Sequence, residues 1–477
     1  MTPGFKTQRR AVLIRVIRAF NGQNFVAEIE QIPQNLPLEG EKSYSVPDDV
    51  RRALVATALG FAADEKNIDL AHLARLALER TQAGMPPLTT IPCACNGCSG
   101  GRIRVTDLCQ SCALKPCMQS CKFDAISNDG NRTSIDGTKC KKCAACLRTC
   151  PYGAIAKTIM PCENVCPVAA ISRDAGGRAT IDFSKCICCG KCVSVCPFEA
   201  IQPRSQVVDV LNAIRSGQRV IAMLAPAIWG HFKHTPEQMR GAFKKIGFFD
   251  ALEVAIGAEI TALKEADELH ERLESGAKFM TSSCCAAYNN LVEQHMPEIK
   301  QYVSTTATPL LYMSEKLRGE YPDAILVFIS PCLAKYREGY VNKDVSFVLN
   351  FSEIDAMFEA LDIDVTTCEG ENFSTPSARE AREFGFSGGV SGAIKAVARG
   401  KLDGVKFVPI NGLDRDVIKE LKSYAKSGEC DKGNMIEVMC CPGGCVGGGL
   451  TICPAAQAQR QVKNYAAPAK SLADDKY

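Results

Sequence analysis

The sequence lacks an excess of either charge. Its 477 residues include 56 Lys and Arg against 53 Asp and Glu, a formal net charge of +3. This balance gives no strong field for binding a nucleic acid, so any basic surface would have to be local. Hydrophobic residues make up 46% and charged residues 23% of the chain, which is ordinary for a soluble globular protein. At this length we expect two or three domains.

The sequence also lacks a hydrophobic run that could cross a bilayer, since no stretch approaches the roughly 20 apolar residues that a spanning helix needs. Near the start, Arg9 and Arg10 precede apolar residues, as in some export signals. Arg15 and Arg18 interrupt that run, and no small-residue cleavage site follows. We therefore interpret the twin arginines as the start of an amphipathic helix or a strand. We expect a cytoplasmic protein with neither a membrane nor a nucleic acid as its partner.

Residues 1–92 contain no cysteine, although the chain has 27. They end in the proline-rich linker MPPLTTIP, and the stretches PDDVRRALVATALGFAADEKN and DLAHLARLALERTQAG have helical patterns. We predict a small, mainly helical N-terminal region and assign it no role. Because the cytoplasm keeps thiols reduced, so many cysteines favour metal binding over disulfides.

Residues 93–203 contain four copies of one short unit, CKFDAI, CPYGAI, CPVAAI and CPFEAI. Each copy places a cysteine before a turn and an apolar pair. Internal duplication with metal-ligand spacing is typical of small bacterial ferredoxins, which are α+β domains that carry 4Fe–4S clusters. We predict two such domains, over residues 93–158 and 159–203.

The first of these domains offers two groups of four cysteines. One has the spacing C-x2-C-x2-C-x3-C-P, in which three thiolates hold one cubane and the fourth reaches a partner cluster. The other is the expanded version C-x2-C-x4-C-x3-C. Crossed pairing predicts two 4Fe–4S clusters, one on Cys109, Cys112, Cys117 and Cys150, the other on Cys140, Cys143, Cys146 and Cys121. Tetrahedral zinc sites are the alternative, but isolated C-x2-C pairs would be more typical of them.

The second domain is an incomplete duplicate. The pattern predicts a third cluster on Cys166, Cys186, Cys189 and Cys192. Cys162 and Cys196 remain, and a fourth cubane would need two more thiolates from CACNGC, which contains Cys93, Cys95 and Cys98. Inert packing or a separate metal clip is the alternative for these residues. The sequence thus predicts three accessory clusters and leaves a fourth open.

Residues 204–477 alternate short apolar runs, such as QRVIAMLAP and DAILVFISP, with helical stretches such as ITALKEADELHERLESG. This alternation predicts an α/β domain with two lobes of parallel sheet and flanking helices. Functional residues of such folds gather at the carboxyl ends of the strands.

This last domain has three cysteine motifs, TSSCCAAY (281–288), SPCLAKYREG (330–339) and EVMCCPGGCVGGG (437–449). In order, character and approximate separation they resemble the three signatures of the FeFe-hydrogenases, and the resemblance covers roughly residues 93–453. It implies an enzyme that interconverts protons and electrons with dihydrogen at an H-cluster. That cofactor is a 4Fe–4S cubane joined to a two-iron subcluster with carbon monoxide, cyanide and an azadithiolate. A ferredoxin-like electron carrier and maturation proteins are the implied partners.

Carried onto this sequence, the resemblance assigns four cubane ligands, of which the last bridges to the two-iron subcluster: Cys285, Cys332, Cys441 and Cys445. It matches Cys284 to a free thiol that hands protons to the bridging amine. A proton path to water is implied for Glu265, Ser304, Glu268 and Arg272. The glycines around Cys445 fit a close approach of backbone to cofactor.

The resemblance also matches Lys335 to a lysine that binds a cyanide ligand, with Glu338 pairing with it or ordering water. The other implied pocket residues are Ala225, Pro226, Phe384 and Met439. Five residues depart from the usual pattern, namely Ala227, Ala286, Tyr288, Leu310 and Ser330. Altered surroundings of this kind shift potential and catalytic bias, and they indicate a divergent, monomeric, group B-like branch.

Two other functions remain open. A hydrogen or redox sensor would be expected to lack the proton thiol or to carry a signalling domain. An iron–sulfur electron-transfer or assembly protein without the two-iron unit would have no need of Lys335, Met439 and the complete proton path.

Overall fold

The computed structural model describes residues 6–36, 46–63, 67–82, 84–95, 98, 103–373 and 376–474. This part of the chain forms a helical N-terminal region, two small antiparallel modules and a larger part with two parallel sheets. Across the described residues, every helix falls short of the length or apolar character needed to span a membrane.

The described residues of the N-terminal region form four helices, α1 (Lys6–Asn21), α2 (Phe25–Gln31), α3 (Asp48–Ala58) and α4 (Leu70–Glu79). Helix α1 is buried on most of its sides, as expected for a helix with apolar residues all round. Its twin arginines meet acidic residues of the helix Phe351–Ala360. Arg10 Nε lies 2.6 Å from Asp355 Oδ2, and Arg9 Nη2 lies 3.5 Å from the buried Glu353 Oε1. The arginines therefore hold α1 against the part of the chain with two parallel sheets, which we call the largest domain.

The two antiparallel modules are built from very short strands and helices. The strands are β1 (Leu88–Thr90), β2 (Ile103–Val105), β3 (Ile126–Asn128), β4 (Thr133–Ile135), β5 (Ile155–Lys157), β6 (Ile171–Arg173), β7 (Ala179–Ile181) and β8 (Ile201–Pro203). The helices are α5 (Pro116–Gln119), α6 (Ala145–Thr149), α7 (Pro161–Val165) and α8 (Lys191–Val195).

One module is nested inside the other. Strands β2 and β5 pair around the hairpin β3–β4 to form an inner module, while β1 pairs with β8 around the hairpin β6–β7 to form an outer one. The boundary predicted after residue 92 therefore divides β1 from its partner strand. The consecutive domains predicted over 93–158 and 159–203 also differ from the structure, because the outer module takes its first strand and the CACNGC loop from before the inner module.

The largest part of the chain has two fully parallel sheets. The first has the order β10–β9–β12–β13 and comprises β9 (Val220–Leu224), β10 (Asp250–Glu253), β12 (Ile325–Ile329) and β13 (Phe347–Leu349). The second has the order β11–β15–β14 and comprises β11 (Met280–Thr281), β14 (Phe407–Asn411) and β15 (Met435–Met439). Every residue of β9 and β15 is buried, as in parallel sheets covered on both faces.

Helices connect and cover these strands, and they are α9 (Val207–Arg215), α10 (Pro236–Ile246), α11 (Ala255–Glu274), α12 (Ala286–His295), α13 (Pro309–Glu320), α14 (Ala334–Val341), α15 (Phe351–Ala360), α16 (Arg379–Arg382), α17 (Gly389–Ala398), α18 (Arg415–Ser427) and α19 (Ala455–Ala466). Local sequence fixes several of their ends. Helix α10, for example, begins with a Thr235/Gln238 capping box and ends at Gly247, whose φ of 114° suits glycine.

The topology gathers the three cysteine motifs. The cysteines of each motif follow a parallel strand, β11, β12 or β15, and so lie beyond that strand's carboxyl end. Strand β12 belongs to one sheet, whereas β11 and β15 belong to the other. A site formed by all three motifs therefore lies where the carboxyl edges of the two sheets meet.

Candidate functional site

The four predicted cubane ligands come together at this junction, and we call them the central thiol site: Cys285, Cys332, Cys441 and Cys445. Burial raises the pKa of Cys332 well above its usual value, and the sulfurs of the other three raise it further. Burial raises the pKa of Cys445 to about 12, with added contributions from Cys285 and Cys441. Four sulfurs from three distant loops thus share one small volume.

The chemistry of this donor set fits an iron–sulfur cluster. Each thiolate disfavours ionisation of its neighbours, so all four can be deprotonated together only when a strongly positive centre neutralises them. Soft thiolates are the preferred ligands of iron in such clusters.

The glycines of the Cys445 loop pack closely against other parts of the protein. A Cβ on Gly444 would lie 2.6 Å from Ser387 N, and one on Gly447 would lie 2.0 Å from Pro442 O. Gly443 and Gly444 also have φ values of 87° and 84°, in the left-handed region. These contacts hold the loop in place, and the close approach of its backbone to a cofactor stays a prediction.

Lys335 is a cation beside the central thiol site. Lys335 Nζ lies 2.5 Å from Glu338 Oε2, as the pairing alternative for Glu338 predicts. Burial would lower the pKa of Lys335, but Glu338 and the sulfurs of Cys332 and Cys445 outweigh burial and raise it. The ammonium is therefore charged and attracts anions beside the thiols. Thr308 Oγ1 donates a hydrogen bond to the other oxygen of Glu338.

The remaining predicted pocket residues line the same region. Phe384 and Met439 are buried in one apolar cluster, and Cys284 and Cys285 pack against it. Ala225 N at the end of β9 donates to Ile329 O at 3.0 Å, and Pro226 follows it. All five residues that depart from the usual pattern are buried, namely Ala227, Ala286, Tyr288, Leu310 and Ser330. The Tyr288 hydroxyl pairs with Thr281 Oγ1 at 2.9 Å.

The residues of the predicted proton path are neighbours, and the Oε2 atom of Glu265 is buried without a hydrogen-bond partner among the described residues. The first carboxyl, Glu265, is fully buried and accepts a hydrogen bond from Ser283 N at 3.0 Å. Burial raises the pKa of Cys284 well above the usual thiol value, and the charge of Glu265 is the next largest cause of this rise. Ser304 Oγ donates to Glu268 Oε2 at 2.6 Å and lies close enough to Glu265 to act on its pKa.

The outer end of the series reaches the surface. Arg272 Nη2 lies 2.6 Å from Glu268 Oε1, and 23% of the arginine side chain is exposed. Thr305 and Thr306 add hydroxyl hydrogen bonds to Glu268 at 2.9 and 3.0 Å. All five predicted positions therefore lie on one route from the central thiol site to solvent.

The two ends of the route differ in protonation. Burial raises the pKa of Glu265 to about 8, although Ser283 and Ser304 oppose the rise. Burial acts in the same direction on Glu268, but hydrogen bonds from Ser304 and Thr305 and the charge of Arg272 outweigh it and lower its pKa. At neutral pH the inner carboxyl carries a proton and the outer one is ionised.

The inner module brings together two thiol sets with the crossed pairing predicted above. The first set lines one cavity and comprises Cys109, Cys112, Cys117 and Cys150. The second set is Cys121, Cys140, Cys143 and Cys146. In it, burial raises the pKa of Cys146, and the three other sulfurs raise it further.

The outer module also brings together two thiol sets. The third comprises Cys166, Cys186, Cys189 and Cys192, and after burial the other three sulfurs are the next influences that raise the pKa of Cys192. The fourth set lines one cavity and comprises Cys95, Cys98, Cys162 and Cys196. Cys93 lies elsewhere, beside Asp49 and Arg178.

No three His, Cys, Asp or Glu side chains of the described residues have the geometry of a site for one metal ion. The predicted ligands instead stand in sets of four, and two of these sets surround cavities.

Two residues close to the central thiol site were not predicted. Glu437 is fully buried in β15 and accepts hydrogen bonds from Gly388 N at 2.6 Å and Ser391 N at 2.9 Å, at the start of α17. The sequence could have indicated Glu437, because it is a carboxylate within the apolar strand MIEVM. The second residue that was not predicted is Cys440. The sequence could have indicated it as well, because it directly precedes a predicted ligand, as Cys284 does.

Comparisons with known proteins agree with this geometry. Residues 218–449 match the family described as iron only hydrogenase large subunit, C-terminal domain, and residues 157–207 match the LdpA Fe–S cluster-binding domain. The periplasmic [Fe] hydrogenase large subunit of Nitratidesulfovibrio vulgaris is 28% identical over 67% of this chain and 86% of that protein. Iron hydrogenase 1 of Clostridium pasteurianum is 26% identical over 71% of this chain and 68% of that protein.

Another similar protein is named for a different role. A probable cytosolic Fe–S cluster assembly factor of Aedes aegypti is 26% identical over 46% of this chain and 58% of that protein. Among solved structures, FeFe-hydrogenase HydA1 from Chlamydomonas reinhardtii matches with 21% identity and a TM-score of 0.44, over 56% of this chain and 90% of that one. From the family match and the hydrogenase large subunits, the chain is a divergent FeFe-hydrogenase-like protein.

Proposed function

We propose that this protein interconverts protons and electrons with dihydrogen at an H-cluster held by the central thiol site. The observation that carries the proposal is the route from Cys284 through Glu265, Ser304 and Glu268 to Arg272. A protein that only stored or passed on iron–sulfur clusters would need no buried proton path ending at such a site.

The bound H-cluster would supply the iron centre at which protons and electrons are exchanged with dihydrogen. Cys445 would bridge its two parts, and maturation proteins would deliver the two-iron subcluster. The Lys335 ammonium, held by Glu338, would bind an anionic ligand such as cyanide in the desolvated pocket. The Cys284 thiol stays neutral at physiological pH because its pKa is raised, so it has a proton to give.

The polar series can move that proton through a short hydrogen-bonded chain. Ser304 Oγ donates to Glu268 Oε2 and accepts from Thr306 N at 3.1 Å, and its remaining lone pair can accept a proton from protonated Glu265. Passage of one proton outward reverses the direction of these hydrogen bonds, so the Ser304 hydroxyl must rotate back toward Glu268 before the next proton can follow. Glu265 then acts as the acid or base nearest to Cys284.

The four accessory thiol sets would hold four 4Fe–4S clusters that conduct electrons to or from a ferredoxin-like carrier. We include the fourth cluster, which the sequence left open, because one cavity is lined by four cysteines: Cys95, Cys98, Cys162 and Cys196. The third set is next to the central thiol site, since Cys189 and Cys441 both contact Cys440.

Infrared spectroscopy of the full chain matured with the complete cofactor tests the proposal. We expect bands of bound carbon monoxide and cyanide, together with hydrogen turnover. Cys445→Ser, which alters the bridging ligand, is expected to lose both. A matured protein without these bands would instead favour an iron–sulfur electron-transfer or assembly role, as the similarity to a probable cytosolic Fe–S cluster assembly factor suggests. Bands with tight hydrogen binding but no turnover would favour a sensor.

Electron delivery is expected to depend on salt. Lys139, Lys141 and Lys142 are exposed around the second thiol set, and the apolar Leu108 and Leu114 are exposed on the same module. The positive charges would steer an acidic carrier to this face. The rate of electron transfer between the carrier and the full chain, in either direction, should therefore fall several-fold between low and high ionic strength.

Glutamine at the three lysines should remove most of this salt dependence. The matched control is glutamine at Lys316 and Lys401, which are exposed on the largest domain. Equal salt dependence in both variants would place carrier docking elsewhere.

A further inference from the structure

The N-terminal region has no part in the proposed function, although its helix α1 reaches a buried carboxylate of the largest domain. Arg9 Nη2 lies 3.5 Å from Glu353 Oε1, and the carboxylate is fully buried while 15% of the arginine side chain is exposed. Glu353 lies in the first turn of α15, and that helix begins directly after β13 and Asn350. Strand β13 pairs with β12, the strand that Cys332 follows. The ion pair from α1 therefore ends beside the sheet that carries one of the predicted ligands.

Glu353 is also the centre of a buried hydrogen-bond network. Its Oε2 atom accepts from Asn350 N at 2.7 Å and from the Tyr336 hydroxyl at 3.0 Å. The Tyr336 hydroxyl in turn accepts from Asn350 Nδ2 at 3.1 Å. Asn350 and Glu353 form the capping box at the start of α15. All three side chains are buried, so the Tyr336 hydroxyl has one fixed donor and one fixed acceptor in the protein interior.

Tyr336 directly follows Lys335 on α14. Successive residues of an α-helix point about 100° apart around its axis, so a fixed direction for Tyr336 also fixes the direction of Lys335. Close packing holds the same face of the helix, because a Cβ on Gly339, three residues after Tyr336, would lie 2.9 Å from Val348 Cγ2 on β13. The network thus holds one face of α14, while Lys335 lies beside Glu338 and the central thiol site.

We infer that helix α1 helps to position the Lys335 ammonium, acting through the network around Glu353. This rests on the proposed function, in which Lys335 binds an anionic ligand of the cofactor. Burial raises the pKa of Glu353, and the charge of Arg9 opposes the rise. Arg9 therefore stabilises the ionised carboxylate, which is a stronger acceptor for the Tyr336 hydroxyl than a neutral carboxyl group. Without Arg9 the network would contain an unpaired buried carboxylate, and its hold on α14 would weaken.

The first test is hydrogen–deuterium exchange of the full chain with its 4Fe–4S clusters but without the two-iron unit. Tyr336→Phe removes only the hydroxyl and keeps the ring. We expect amide exchange over residues 334–341 to be several-fold faster in this variant, and Arg9→Gln should act in the same direction. The matched control is Arg10→Gln, because Arg10 lies on the same helix but pairs with partly exposed acidic residues. It should leave exchange in α14 unchanged.

The second test uses infrared spectra of the same variants matured with the complete cofactor. In Tyr336→Phe and in Arg9→Gln we expect the cyanide bands to shift or broaden and the carbon monoxide bands to shift less, because Lys335 would bind a cyanide ligand. Combining the two substitutions should add little to the effect of either alone, since both interrupt one network. Arg10→Gln should keep the bands of the parent chain.

The results separate this inference from the proposed function. Unchanged exchange of α14 in Tyr336→Phe would overturn the inference, and this variant decides the matter even if Arg9→Gln fails to fold. Faster exchange with unchanged cyanide bands would show that the network stabilises the fold without acting on Lys335. Equal effects of Arg9→Gln and Arg10→Gln would exclude a specific role of α1. Absence of both kinds of band from the matured parent chain would overturn the proposed function, and this inference with it.

Discussion

Cys284→Ala is expected to lower hydrogen turnover at least about 100-fold while leaving iron content and the infrared bands unchanged. Cys284 is the thiol between Glu265 and the central thiol site, and Glu265 is the strongest charged influence on it. Alanine fits the same small-residue loop but cannot carry a proton. The proton path would then stop short of the cofactor by one side chain.

The comparison that isolates this role uses turnover, iron content and infrared spectra of the same preparations. Cys430→Ala removes a thiol beside Tyr424, outside the central thiol site, and should retain the turnover of the parent chain. Turnover in Cys284→Ala within about twofold of the parent would exclude Cys284 from proton transfer. Loss of the infrared bands would show that it holds the cofactor instead.

The resemblance carried by the three cysteine motifs predicted which residues form the central thiol site, and the alternation of strands and helices predicted that functional residues gather at the carboxyl ends of parallel strands. The apolar run ILVFI is long enough to be recognised as a buried strand, and Cys332 follows it closely. Strand β11 has only two residues and lies in the other sheet, so strand patterns alone did not predict that its motif meets the others. The crossed pairing within the inner module was predictable because ligand spacing is set by the short loops around a cubane.

The nesting of the two modules was not predictable from the sequence. Strand β1 has three residues, Leu88–Thr90, inside a proline-rich segment, and three residues carry no useful periodicity. Its partner β8 lies more than a hundred residues later, so nothing local indicates the pairing. The role of Cys95 and Cys98 depends on that pairing, which brings the CACNGC loop beside Cys162 and Cys196.

Residues whose roles were not predicted make their contacts with groups that are far away in the sequence. Glu437 is explained by the backbone N–H groups of Gly388 and Ser391, which come from the start of another helix. Arg9 likewise acquires its role only when α1 meets Glu353. Side chains that serve a contact between separate elements carry no periodic signal of their own.

Glu265→Gln is expected to lower hydrogen turnover about 100-fold or more, since an amide cannot release or take up a proton in the path. Glutamine has almost the same shape, and its oxygen can still accept the hydrogen bond from Ser283 N. The variant should therefore fold with its clusters in place. Glu271→Gln, on the exposed face of the same helix, is the matched control and should retain the parent's turnover.

Glu265→Gln should also change how the stability of the protein depends on pH, and the pKa of Glu265 gives the direction of this change. Burial raises the pKa of Glu265 from the usual 4.5 to about 8, so the folded protein favours the protonated form. That favourable contribution is fully present below pH 4.5 and is lost as pH rises through about 8, where the buried carboxyl must ionise. Glutamine never ionises, so the thermal midpoint of Glu265→Gln relative to the parent should rise between pH 6 and pH 9.

Thermal unfolding of both proteins with equal iron content, at pH 6 and pH 9, measures this difference directly. Titrating groups far from residue 265 are present in both chains and cancel in the comparison to first order. An unchanged difference between the two pH values would mean that Glu265 is ionised throughout that range. The inner end of the proton path would then hold no proton at neutral pH, and Cys284 would have to exchange protons with another group.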